Sequence, residues 1–222
     1  MSNRLRRANT QLERKVYGLR SPADLGLCNL EVAPSMNVAE AFADFPTEAA
    51  IIGRILGGYT TIELDLMNCV KSAREDMDTV LKAMYRARGE TQRIEIADAF
   101  GRQTYRKLGL GTQFEMAVGA VRYCMKIRNQ YAHCIWWNDS SGKLAFANLE
   151  EIAKLNDVVL DLRGISVHHV DSEHLSSQFA YFEYTSDMLV WVLQEGNKKE
   201  GRPAVPNLVK PNRRKPPALF LP

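Results

Sequence analysis

Arg128, Asn129 and His133 are the residues of this chain whose types and spacing suit chemistry. A guanidinium presents a planar fork of donors that matches a phosphate. Histidine ordinarily titrates near neutrality, so its ring can take or give a proton in a reaction. Asn129 and His133 stand four apart and share a face of any helix that holds them. Arg128 stands five before His133, about 140° round the axis at 3.6 residues per turn. The long arginine stem covers much of that angle at a helix end. An arginine and an imidazole held at one helix terminus can bind a phosphate and move a proton. The plainer alternative is a helix-end arginine that bridges locally and a histidine satisfied by a backbone carbonyl.

Other residues invite the same question. Tyr59 and Glu63 stand four apart on an earlier helical pattern, and Glu63 is placed to support Arg128 across a bundle; with Asp65 it equally suits a solvated face. Arg74 and Arg93 are further phosphate contacts or ordinary surface charges. His168, His169 and His174 cluster with Asp171 and Glu173, a donor set that zinc accepts. Their spacing does not converge on one element, so no metal is expected. Trp136, Trp137 and Tyr131 suit stacking on bases or packing of a hairpin. Gly57-Gly58 lacks the glycines and lysine of a phosphate loop, and no serine or cysteine carries a nucleophile signature. No cofactor is expected.

The bulk numbers bound the setting. A chain of 222 residues, 45% hydrophobic and 25% charged, has the composition of a globular protein with one good core. A net charge of +3 excludes a strongly cationic nucleic-acid coat protein. The basic residues nevertheless gather at the two ends, around Arg4–Arg20 and Lys198–Lys215, where they suit either a nucleic-acid backbone or a solvated terminus. The cysteines Cys28, Cys69, Cys124 and Cys134 show no C-x-x-C spacing and favour free buried thiols. With no long apolar run and no leader-like segment, a cytoplasmic protein without membrane contact is expected.

The elements that must position the Arg–His stretch follow from periodicity. Residues 1–43 read as a basic, proline-punctuated strap. From Pro46, Ile51, Ile52, Ile55, Tyr59, Ile62, Leu66 and Val70 recur at helical spacing, loosened at Gly57-Gly58. Met77, Val80, Leu81 and Met84 extend or follow that helix up to Gly89. Ile94 to Leu108 form another, stopped by Gly109 and Gly111. Residues 112–134 make the helix that carries the motif, with Thr112 as cap and Glu115 three residues on. The four join into a bundle. Ile135-Trp136-Trp137 and Lys143 to Ala147, around Asn138–Gly142, read as a β-hairpin, and Val158–Leu162 and Ile165–His168 as further strands. A helix returns over 172–195. Residues 196–222, with six prolines and seven basic side chains, read as a disordered or extended tail. The expectation is thus a mainly α bundle over 44–195 with a β insertion at about 135–170.

Arg-Asn-x-x-Ala-His at the end of a bundle helix resembles the mark of the HEPN superfamily, an Arg-x(4–6)-His motif with a polar residue after the arginine. Cys134-Ile135-Trp136 and the closing Tyr181-Phe182-Glu183-Tyr184 are similar to an uncharacterised bacterial branch of it. The resemblance covers about residues 45–195. It implies a helical homodimer, with RNA as substrate and metal-independent ribonuclease activity of a toxin, anti-phage defence or RNA-processing type, with an antitoxin or other partner protein. It also includes non-catalytic members that serve as interaction modules. On this chain it makes His133 the general acid or base, Arg128 the phosphate ligand and Asn129 the residue that orients one of them. Ile135 stands where toxins with nucleotidyltransferase antitoxins commonly carry a tyrosine.

Overall fold

The structure is a computed structural model that describes residues 37–154 and 166–220. The longest helices carry their apolar groups at spacings of three and four, and burying those stripes against one another builds the bundle. The helices are α1 (Val38–Asp44), α2 (Pro46–Arg74), α3 (Met77–Arg86), α4 (Glu90–Lys107), α5 (Gly111–Ala132), α6 (Leu149–Ala153) and α7 (Ser172–Lys199). The strands β1 (Cys134–Asn138), β2 (Leu144–Asn148) and β3 (His168–Val170) form one antiparallel sheet with β2 in the middle. α2 packs on α7, α4 and α5, and α5 packs on α4 and α7. Ile55, Cys69, Val70, Val118, Val121, Ile127, Leu189 and Val192 lie fully buried between them.

Helix ends follow local chemistry, and several depart from expectation. α2 runs unbroken through Gly57-Gly58, where Gly58 packs against Phe179 and Phe182 of α7 at ordinary van der Waals distance. It ends instead at Glu75, in the left-handed region at φ 56, and Asp76 caps α3 through Thr79 N–H. Thr112 does not cap α5: the helix starts at Gly111 after Leu110, and Glu115 takes Arg106 as partner at 2.8 Å. The strap expected over 1–43 gives way at its end to α1, where Asn37 Oδ1 accepts from Ala39 N–H. Phe42 of α1 then packs on Trp136.

The hairpin forms with Trp136 opposite Phe146 and Trp137 opposite Ala145. Alternation sends Trp136 and Phe146 into the main core beside Tyr131, and Trp137 to a smaller cluster with Ala145, Ala147, Ile135 and Ile152. The strand expected at 158–162 lies outside the described residues. The one expected at 165–168 is found later, at His168–Val170. α7 continues four residues past the expected 195.

The C-terminal tail is not disordered along residues 203–220. It has no regular structure, yet it lies against the bundle. Proline removes backbone donors, so such a segment needs partners chiefly for its carbonyls. Tyr123, Gln130 and Gln178 supply them. Among the described residues, no helix is long and apolar enough to cross a membrane.

Candidate functional site

The end of α5 is held by one buried side chain that sequence reasoning missed. Asn148, 4% exposed, donates from Nδ2 to the carbonyls of Asn129 (3.1 Å) and Gln130 (3.0 Å). Its Oδ1 accepts from the N–H groups of Glu150 and Glu151, capping α6. One amide therefore closes the open carbonyls of α5 and the open N–H groups of α6. Leu149 N–H adds a bond to the His133 carbonyl at 2.9 Å. The signal was present as Asn148-x-x-Glu151, a cap spacing hidden at the end of a strand.

His133 is the residue where helix gives way to strand, with φ −128 and ψ 47. Its side chain is 56% exposed, and Nε2 lies 3.3 Å from Glu150 Oε1. The junction thus turns an accessible imidazole toward a carboxylate at the first turn of α6. Such a pair can orient a ring and stabilise it when protonated.

Arg128 is engaged elsewhere. Its Nη1 lies 2.9 Å from Glu90 Oε1, at the first turn of α4, and donates to Asn129 Oδ1 at 2.9 Å. Asn129 therefore holds the guanidinium rather than the imidazole. Glu63 pairs with Arg93 at 3.2 Å, not with Arg128, and the Arg93 head lies over the Tyr85 ring. Tyr59 is 2% exposed and its hydroxyl is buried without a partner among the described residues. Burial, then the carboxylates of Glu63 and Glu90, push its phenol well above the usual range, against the pull of Arg128. α2, α4 and α5 so bring the charges of Glu63, Glu90 and Arg128 within reach of the Tyr59 hydroxyl. Glu90, Glu150 and Asn148 are the neighbours that spacing along α5 could not reveal.

The remaining candidates disperse. His168 approaches Glu151 at 3.4 Å, His169 approaches Asp139 at 2.7 Å, and His174 faces Gln178 and the Leu219 carbonyl. Three histidines with three separate partners do not share one centre. Among the described residues no group of three His, Cys, Asp or Glu side chains is arranged to hold a metal ion. Arg74 lies over the Phe100 ring. Tyr131 and Trp136 are packed, not presented to a base. Burial pushes the thiols of Cys69, Cys124 and Cys134 up to about 12, which leaves them poor nucleophiles.

Fold and site together define a mainly helical bundle with a small antiparallel sheet, in which one helix ends on an exposed histidine. Comparisons with protein families, curated proteins and solved structures find no match.

Proposed function

We propose that the chain is a metal-independent endoribonuclease of the HEPN type, acting through His133, Arg128 and Asn129. The 2′-hydroxyl oxygen attacks the adjacent phosphorus, the bond to the 5′-oxygen breaks, and a 2′,3′-cyclic phosphate is left. One proton leaves the 2′-hydroxyl and one is delivered to the departing oxygen. His133 serves one of these transfers, with Glu150 orienting the ring. Its counterpart on a second copy serves the other in a homodimer. Arg128, steadied by Asn129, takes the phosphate once RNA draws it from Glu90.

The observation that carries this reading is the accessibility of the His133 ring at the end of α5, with a carboxylate oxygen of Glu150 3.3 Å from its Nε2. Incubating the purified chain with a mixed RNA pool in EDTA and sequencing the ends tests it. Cyclic-phosphate termini are expected, and 3′-hydroxyl ends or intact RNA would refute it. A second reading, a non-catalytic interaction module of the same type, draws support from Arg128: its guanidinium is already committed to Glu90 and Asn129. Binding of RNA or a protein partner without cutting is its expected result.

A further inference from the structure

Charge is divided unevenly between the bundle and the tail that lies on it. Over residues 37–202 acidic side chains outnumber basic ones, whereas residues 203–220 hold Lys210, Arg213, Arg214 and Lys215 and no acidic side chain. Arg93, Arg102, Arg106, Arg122 and Arg128 of the bundle each have a carboxylate partner. Among the described residues none of the tail's cations has one, and all of them are exposed. An acidic bundle repels a polyanion, so the tail is where one is drawn.

These cations are fixed in place. Residues 205–220 run back along α7 toward its N-terminus: Val205 N–H bonds Gln194, Lys210 lies over the Trp191 ring, and Arg214 donates to the Ala180 carbonyl. Tyr123, Gln178 and Gln130 then hold the carbonyls of Pro217, Ala218 and Leu219. At the rise of a proline-rich extended chain, Lys210 to Lys215 spans about 15 Å, room for several phosphates of one strand. The tail ends beside the motif. Gln130 adjoins Asn129 in α5, Phe220 stacks on His168, His168 approaches Glu151, and the adjoining Glu150 faces His133. A basic surface also suits an anionic bilayer, but the aromatic anchors a bilayer takes are turned inward here. Trp191 lies under Lys210 and Phe220 against His168, which leaves the smaller Val205, Leu208 and Val209 exposed on the tail.

We propose that residues 210–215, held on α7, are a docking track for the phosphate backbone of an RNA strand whose reacting phosphate lies at the end of α5. Arg213 and Arg214 take phosphates with their forked donors, and Lys210 and Lys215 act as point charges. The contacts read no bases, so the track binds RNA of any sequence and loses affinity steeply with salt. The proposal rests on the RNA reading of His133, and binding tests it separately from cutting.

The test follows polarisation of a short fluorescein-labelled oligouridine across a salt series, with the full-length chain carrying His133→Ala so that the RNA stays intact. That parent is compared with Arg213→Gln plus Lys215→Gln in the tail. A second pair, Arg54→Gln plus Arg86→Gln, removes the same charge from exposed positions of the bundle. Circular dichroism confirms each fold. The tail pair is expected to bind about tenfold more weakly at low salt and to flatten the slope of log K against log salt by about 1.4, two single-strand phosphate contacts. The bundle pair leaves the slope as it was. An unchanged slope in the tail pair, equal losses in both pairs, or no binding by the parent overturns the proposal. Phosphatidylserine vesicles that bind the parent and not the tail pair, with RNA held equally by both, overturn it by making a bilayer the partner. Tail-dependent binding by a chain that cuts no RNA with His133 in place upholds the track and removes the nuclease reading; cutting with an unchanged slope does the reverse.

Discussion

Charge at the end of α5 is paired before any substrate arrives. Glu90 occupies Arg128, so a phosphate that uses this guanidinium must displace a carboxylate. Glu90→Gln is therefore expected to raise affinity for a short RNA about fivefold at low salt, the equivalent of about 1 kcal/mol for a partly exposed pair. Filter binding across a salt series checks this; weaker binding would make Glu90 a positioning residue instead. The types and spacing of Arg128, Asn129 and His133 were readable along one helix, because periodicity reports neighbours on the same element. Their partners were not. Glu90 and Glu150 belong to other helices, and Glu63 chose Arg93 over Arg128, a choice set by how α2 and α4 pack.

Two junctions decide how the elements hold the site. Asn148 joins α5 to α6, so Asn148→Ala is expected to cost about 2–3 kcal/mol, the sum of a lost cap and two lost carbonyl bonds. Urea denaturation measures it; a loss under 0.5 kcal/mol would show that the junction is held by other contacts. Between α4 and α5, Asp98 accepts from both Arg102 and Arg122. Burial alone would raise its carboxyl, but those bonds and charges outweigh it and hold it below the ordinary 3.8. The unfolded chain then binds the proton more readily. The stabilisation is present above about pH 4 and is lost as pH falls below the ordinary value. Denaturation midpoints between pH 3 and 6 are expected to lose part of their acid dependence in Asp98→Asn; an unchanged slope would contradict the assignment. Most helices were legible from their apolar stripes. The break at Glu75 was not, because no glycine or proline marks it, and the Gly57-Gly58 pair misled because tertiary packing of Phe179 and Phe182 overrides a weak local propensity.

For the whole molecule, the tail turns a bundle into a strapped bundle. Composition alone marks residues 196–222 as unable to build a core of their own, and says nothing of whether an existing core offers them partners. Tyr123, Gln130 and Gln178 do, and Leu219 and Phe220 pack against the main core. Because Phe220 is the last of those contacts among the described residues, stacked on His168, Phe220→Ala is expected to speed tryptic cutting around Arg213–Lys215 several-fold, and equal rates would mean that the tail is not held by that ring. The fold class was legible because helical periodicity and the hairpin's turn residues act locally. The assembly around His133 joins three elements and needed the structure. RNA cleavage by this exposed imidazole is the central proposal. Cleavage of one defined RNA in EDTA by wild type and by His133→Ala, both verified as folded, tests it most directly. The account predicts a loss of at least about 100-fold in the variant, the scale of a missing general acid or base, with stability changed by no more than about 0.5 kcal/mol at so exposed a position. Equal cutting by both proteins, or none by the wild type, would contradict it.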